Sequence, residues 1–385
     1  MTVSWTLAVA ETGFVNQHFL VEDIVSKVED IQDAIRRNGY RRSGKPRVTI
    51  NDVADHLGMS KSTVSRALNG YNDIAELTRL RVAKAAAQLG YKPLAQAQAI
   101  RTGLIQSLGM VLNVGGHGSH RPFLANFIDG ISRRASEENW TLTVATAENS
   151  EAVLETIERL SGERKVDGFI LPRTREHDPR VDYLRSHDIP FIMFGRTGDD
   201  KDCGWFDIRG ELAMEQAVER LYGLGHRRIG FINGLDYYMY ARLRLQGYLA
   251  GLEKVGLPVD RALMRSNAVT KEDGLREGIA LLSQPIRPTA IICAVDLAAL
   301  GLYQAAKAAN LDIGRDLSVM AYDGISEGEF ASPPLTSFSV DNREAGRRLA
   351  DLLIKRIRGA APETLRQLGE AKLIERASDG PPVSP

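Results

Sequence analysis

The chain has 385 residues, of which 43% are hydrophobic and 25% charged, an ordinary composition for a globular protein. That length suggests about three compact units. Its 49 Lys/Arg and 49 Asp/Glu cancel, and no run of about 18 apolar residues occurs, which excludes a helical membrane span.

Residues 1–46 form an extension. Residues 1–20 lack a basic start and carry Glu11, which argues against a secretory signal. Val21–Arg37 has the spacing of an amphipathic helix through Ile24, Val28, Ile31 and Ile35, and Arg41–Lys45 is a basic linker able to touch phosphates. An appended tail without function, or a start placed too early, explains this extension better than a functional helix does.

Residues 47–92 are expected to form a small helical head. Thr49 caps a first helix with Asp52 as its reciprocal partner, and Gly58 ends it. Ser60 caps a second helix that stops at Asn69-Gly70, and Val53, Ala54 and Leu57 face Val64 and Leu68 at helical spacing. Two short helices on one core make a helix-turn-helix. A third helix, Glu76–Leu89, is closed by Gly90; Leu80, Val82, Ala83, Ala86 and Leu89 are expected to cover the other two. Its cap position holds Ala75, which costs about 1 kcal/mol relative to Ser.

The second helix would lay its polar face in a DNA major groove. Lys61 and Ser62 lie in its first turn, Arg66 suits bidentate contact with a guanine, and Thr63 and Ser65 suit phosphates. Thr49, Ser60 and Asn69, at the helix ends, complete the set expected against the duplex. An ordinary polar bundle surface is the dull alternative. Residues 41–101 argue against it with eleven Lys/Arg and four Asp/Glu, a net +7 in a neutral chain.

Residues 93–103 follow, where Pro93 can open a short helix reaching Arg101 that has too few large side chains to bury itself. From Ser107 the pattern alternates. Apolar runs at Leu108–Val114, Leu142–Ala145, Val166–Leu171, Phe191–Phe194, Ile229–Ile232, Ala290–Ala294 and Leu317–Tyr322 read as strands. Phe123–Glu138, Glu211–Leu224, Ala241–Val255 and Leu297–Ala309 read as helices between them. Strands apolar throughout and separated by helices mean parallel sheets covered on both faces, an α/β fold. Near Arg196–Asp207 the chain leaves one such unit for another.

Ligands of open parallel sheets bind beyond the carboxyl ends of the strands. Arg173 and Thr174 stand there after the third run, Arg196 after the fourth, and Asp296 and Asp323 at the ends of the last two. Tyr237, Tyr238 and Tyr240 follow Ile232-Asn233-Gly234, with Arg244 a turn into the next helix; one tyrosine at the cleft is expected, and Tyr238 is assigned to it. Trp205 stands nearby with no clearer role. Guanidinium, carboxylate and aromatic groups together suit a polyhydroxylated ligand, by bonding hydroxyls and covering C–H faces. The dull alternatives are an Arg244–Asp236 ion pair and an Asp323-Gly324 turn.

The run Thr49-Ile50-Asn51-Asp52-Val53-Ala54, the Val64-Ser65-Arg66-Ala67-Leu68-Asn69-Gly70 ending, the Leu89-Gly90-Tyr91-Lys92-Pro93 junction and the Arg101-Thr102-Gly103 exit resemble the LacI/GalR (lactose-repressor) family of bacterial transcription regulators. The resemblance implies that 93–101 is a hinge helix that folds on operator DNA, with Ala97 and Arg101 against the duplex and Ile100 at the position of a minor-groove leucine wedge. A flexible linker is the alternative. It also implies a periplasmic-binding-protein type I core over 104–385, made of two doubly wound parallel-sheet lobes joined by three crossovers. Lobe 1 takes about 104–198 and 338–360, and lobe 2 about 200–336 and 361–380.

By the same resemblance, Arg244 within Ala241–Tyr248 grips the effector and Asp323 after Tyr322 accepts its hydroxyls. Phe123 after Pro122 lines the first lobe's side. The chain departs from the family where an asparagine usually precedes Asp296 (here Val295) and where an aromatic often stands near Val269.

His117 and His120 on a Gly-rich loop lack a third ligand and make a weak metal site, so neither a metal nor a cofactor is expected. His226 reads as a surface turn residue. Phosphate-loop and nucleophile-elbow signatures are absent and no catalytic set is visible. The expected protein is a cytoplasmic homodimer, a repressor of a carbohydrate-utilisation operon. It would bind double-stranded operator DNA and be released when a mono- or disaccharide between the lobes moves the hinges apart. A corepressor-dependent regulator binding a purine or other metabolite is the alternative; a solute-binding protein or an enzyme on this fold fits less well. The tail after Arg376 has no leucine heptads, so no tetramerising coiled coil is expected.

Overall fold

The computed structural model describes residues 48–91, 103–115 and 124–383. The expectations for 1–46, for Ala97, Ile100 and Arg101 in the hinge, for Phe123 and for His117 and His120 fall outside the described residues. The chain divides into two compact units, Met1–Leu94 and Ala95–Pro385.

The head holds α1 (Ile50–Leu57), α2 (Lys61–Leu68) and α3 (Glu76–Leu89). Thr49 closes a full capping box with Asp52, and its N–H donates to the Asp52 carboxylate at 2.6 Å. Gly58 ends α1 at φ 64, a left-handed conformation that a side chain would strain. Ser60 accepts from the Thr63 N–H, while Ala75 gives α3 no side-chain cap. The core is Val53, Ala54, Val64, Ala67, Val82 and Ala86, with Leu57, Leu68, Ile74 and Leu89 packed against it. Leu80 is 62% exposed and Ala83 is exposed, contrary to the expected packing. The 3.6-residue period admitted Leu80 and Ala83, whereas the face that meets α1 and α2 runs through Val82, Ala85 and Ala86.

The second unit is built on two six-stranded sheets. The first contains β1 (Ser107–Asn113), β2 (Thr141–Ala147), β3 (Gly168–Pro172), β4 (Phe191–Phe194), β5 (Gly204–Ile208) and β11 (Arg366–Gly369), in the order β11-β5-β4-β3-β1-β2 and parallel throughout. The second contains β6 (Ile229–Ile232), β7 (Met264–Arg265), β8 (Ala290–Cys293), β9 (Ser318–Asp323), β10 (Thr336–Ser339) and β12 (Lys372–Ile374), in the order β12-β10-β9-β8-β6-β7. Only its edge strand β12 is antiparallel to its neighbour.

Helices α4 (Leu124–Glu137) and α12 (Asn342–Ile357) cover one face of the first sheet, and α5 (Ser150–Gly162) and α6 (Pro179–Ser186) the other. In the second sheet, α7 (Gly210–Gly223) and α8 (Met239–Lys254) cover one face. The other face carries α9 (Lys271–Leu282) and α10 (Asp296–Ala308). The paired helices approach closely at glycine: a Cβ on Gly130 of α4 would collide with the Arg343 carbonyl, and one on Gly247 of α8 with that of Glu211.

The chain passes between the sheets after β5, after β10 and between β11 and β12, which corrects the expected lobe boundaries. Gly204–Ile208 and Arg366–Gly369 belong to the first sheet, and Ser339 still belongs to the second. Strand membership follows hydrogen-bond partners remote in sequence, which boundary reasoning does not see. His226, expected at the surface, is buried: its ring nitrogens lie 2.9 Å from Thr289 Oγ1 and 3.0 Å from Ser318 Oγ. Cys203 and Cys293 are buried free thiols.

Candidate DNA-reading face and inter-lobe cleft

On the head, the exposed polar side chains of α2 are Lys61, Ser62 and Arg66. The other expected DNA contacts are partly occupied within the head. Ser60 Oγ lies 2.9 Å from Thr63 Oγ1, Asn69 Nδ2 donates to Ser65 Oγ at 3.3 Å, and the Thr49 hydroxyl donates to Asp52 at 2.8 Å. Arg66 forms an ion pair with Asp73, and its guanidinium lies 5.7 Å from the Tyr71 ring centroid.

In the second unit, the carboxyl ends of both sheets face one cleft of about 150 Å³. Arg173, Arg196, Arg244 and Asp323 line it, with Asp207, Tyr240 and Tyr322 among its walls. Crossover residues Ile208, Gly210, Val340 and Asn342 also line it, so the strands that join the lobes form part of its surface.

Arg244 is the most enclosed cation of the cleft. Its guanidinium carbon lies 3.8 Å from the Tyr322 centroid and 4.8 Å from that of Tyr240. One nitrogen donates to the Ala294 carbonyl and another lies 3.9 Å from Asp323. The side chain is 11% exposed, and its buried Nε meets no acceptor among the described residues. Gly210 lets it approach, since a Cβ there would sit 3.2 Å from the arginine stem. The alternative partner Asp236 instead accepts from Asn267 Nδ2 at 3.2 Å.

Asp323 ends β9 with φ 130, a strained conformation for a side-chain-bearing residue. Burial pushes its carboxyl up to about 7, against the pull of the Arg244 charge and with a push from Asp296. Arg196 donates to Asp207 at 2.6 Å and to Glu211 at 2.8 and 3.0 Å. Burial also raises the Asp207 carboxyl, although Arg196 opposes it.

Two expected ligand contacts lie elsewhere. Asp296 is fully buried: it accepts from Ser337 Oγ at 2.6 Å and from the Ile325 N–H at 2.8 Å, and it does not line the cleft. It begins α10 and turns inward, where it fastens the loop after β9; Val295 takes the wall position. Tyr238 is the N-cap residue of α8 and packs between Tyr237 and Tyr240, at 4.5 and 5.9 Å, outside the main cleft. Arg173 lies over its ring at 5.7 Å. Trp205 is buried in the first sheet's core.

Asp207 and Tyr322 in the cleft wall, and Glu211 behind Arg196, are site residues that sequence patterning did not single out. The signal for Asp207 was present: Phe206-Asp207 repeats the aromatic–aspartate pair of Tyr322-Asp323 at a strand's carboxyl end.

A capped helix-turn-helix joined to a core of two parallel-sheet lobes around a cleft that holds charged side chains defines a ligand-responsive DNA-binding protein. Residues 49–93 match the model of bacterial regulatory proteins of the lacI family, and 218–378 that of a periplasmic binding protein-like domain. The chain is 35% identical over 340 residues to the HTH-type transcriptional regulator AglR of Rhizobium meliloti (strain 1021), covering 87% of this chain and 95% of that one. It is 30% identical over 331 residues to the ribose operon repressor of Escherichia coli (strain K12), covering 86% and 99%.

Among solved structures, a complex of the transcriptional regulator CelR with cellobiose aligns with a TM-score of 0.67 at 28% identity, over 86% of this chain and 100% of that one. The lac repressor dimer bound to operator and the anti-inducer ONPF aligns at 0.71 and 25%, over 87% and 99%. The chain belongs to the LacI family. It is a DNA-binding transcriptional regulator and not an enzyme. Among the described residues, no helix is long and apolar enough to cross a membrane.

Proposed function

We propose that this regulator is a repressor that leaves its operator when a neutral mono- or disaccharide binds in the inter-lobe cleft. The observation that carries the proposal is Arg244, which lines the cleft beside Asp323 with its guanidinium against two tyrosine rings. A sugar hydroxyl can accept from the guanidinium, neighbouring hydroxyls can donate to Asp323, and the rings can cover C–H faces. The names of the relatives support the same class: one represses a ribose operon, and another is solved with cellobiose.

On the DNA side, α2 enters the major groove, with Arg66 at a guanine and Lys61 and Ser62 at neighbouring edges or phosphates. One head covers one half-site, so two copies sit on a pseudo-palindromic operator. The lac repressor dimer on its operator supports that arrangement by analogy. The test is a fluorescence-anisotropy titration of the full chain on a duplex selected from a random pool, with ribose, hexoses and disaccharides including cellobiose added in turn. Release by one of these sugars is the expected result. Release by none of them, with release by a nucleobase or a sugar phosphate instead, refutes the neutral-sugar reading.

A further inference from the structure

We propose that Asp73 is a positioning residue for DNA reading: its carboxylate, with the Tyr71 ring, fixes the Arg66 guanidinium in the orientation that makes it selective for one base pair. The inference rests on the reading of α2 as the major-groove helix. The loop after α2 is held to that helix by its own backbone. The Gly70 N–H donates to the Ala67 carbonyl at 3.2 Å, that of Tyr71 to the Arg66 carbonyl at 3.1 Å, and that of Ile74 to the Tyr71 carbonyl at 3.2 Å. Ile74 packs on the head core, so residues 71 and 73 stand at fixed places beside Arg66 before any duplex arrives.

Side-chain exposures of 49% for Arg66 and 46% for Asp73 make this a solvent-accessible pair, a class that contributes little to folding. A carboxylate on a face meant for phosphates also weakens non-specific attraction to DNA. A purely structural role therefore accounts poorly for it. Orientation accounts for it better. A free arginine must lose rotamer freedom to meet a guanine edge, and a planar fork held on one side has already lost it. Asp73 meets Arg66 at Nη2, which carries two N–H donors, so a two-donor edge of the fork is still left to the base. The Tyr71 ring, half exposed, limits rocking of the guanidinium plane from one face.

The experiment measures binding of the full chain to its selected duplex and to a series in which each base pair is replaced in turn. Arg66→Ala should flatten the profile at one position in each half-site; if it flattens none, the reading of α2 itself fails, whatever Asp73 does. Asp73→Asn should reduce discrimination at that same position by about tenfold, within the range a bidentate base contact supplies. It should leave the other positions alone and strengthen binding to unrelated DNA. A profile unchanged by Asp73→Asn, or lowered equally at every position with the head's helical signal intact, overturns the proposal.

Discussion

Replacing Arg244 with alanine is the sharpest probe of the cleft. The guanidinium lies 3.8 Å from one tyrosine centroid and 4.8 Å from another, 3.9 Å from Asp323, with one buried donor that no described residue accepts. A charge-assisted bond from the guanidinium to a ligand hydroxyl is worth about 1.5–3 kcal/mol, and displaced ring packing adds to the loss. Effector affinity should therefore fall by about 2–4 kcal/mol, roughly 30- to 1000-fold in Kd. Arg244→Lys should lose nearly as much, since an ammonium keeps the charge but not the planar fork. Calorimetric titration with the active sugar, beside a melting curve of the unliganded protein, separates lost binding from lost folding. An Arg244→Ala protein that melts normally and binds within about threefold of the parent would refute the assignment.

Three further outcomes follow from the same geometry. Asp323 has a folded value near 7, above its ordinary 3.8, so the folded state holds the extra proton. The stability it contributes is complete below the unfolded value of 3.8 and is lost by about pH 7, so Asp323→Asn should flatten the fall in melting temperature between roughly pH 4 and 7. Burial lowers the value of His226, which acts in the opposite sense, so only the difference between parent and variant is diagnostic; parallel curves would refute the assignment. Asp207→Ala leaves Arg196 with Glu211 alone and should destabilise the core by about 1–3 kcal/mol, the cost of a lost hydrogen bond to a charged group, read as a lower urea midpoint at unchanged slope. A loss below about 1 kcal/mol would mean the pair is dispensable. Thr49→Ala removes the side-chain half of the α1 capping box, leaving the backbone N–H at 49 to donate to Asp52, and should cost the head about 1 kcal/mol, measured by hydrogen exchange of its buried amides.

The head was almost wholly legible because its signals are local. A cap such as Thr49 or Ser60 and a left-handed stop such as Gly58 or Gly90 act within one turn of the chain. The long apolar strands were legible for the same reason. What was missed depends on partners remote in sequence: β10 reads Thr336-Ser337-Phe338-Ser339 and β11 reads Arg366-Gln367-Leu368-Gly369, and neither is apolar enough to announce a strand. They become strands because β9 and β5 offer open edges. Since β11 and β12 are separated by two residues and lie in different sheets, no local feature could have placed the lobe boundary. In the cleft the errors were single residues. A helix starting at 296 turns Asp296 inward and leaves Val295 at the wall, and the tyrosine that lines the cleft is 240, not 238.

Two of the cleft's cations already face carboxyl groups before a solute enters, which bears on what it can hold. Arg196 faces Asp207 and Glu211, and Arg244 faces Asp323. A neutral polyol can exchange hydroxyls for water at these groups without leaving a buried charge uncompensated. A phosphate would have to compete with Asp323, Asp207 and Glu211 for the guanidinium groups they already face. The same contacts also bear on motion. Arg196 belongs to the loop after β4, whereas Glu211 begins α7 on the second sheet, so this pair spans the lobes at a crossover. On another side the Met239 N–H donates to the Thr174 carbonyl at 2.9 Å, and Arg242 pairs with Glu176. A wide opening would break all of these together, whereas a small rotation about the three crossovers keeps them. A sugar acting through this cleft is therefore expected to change the angle between the lobes about the crossovers, a movement that keeps these contacts.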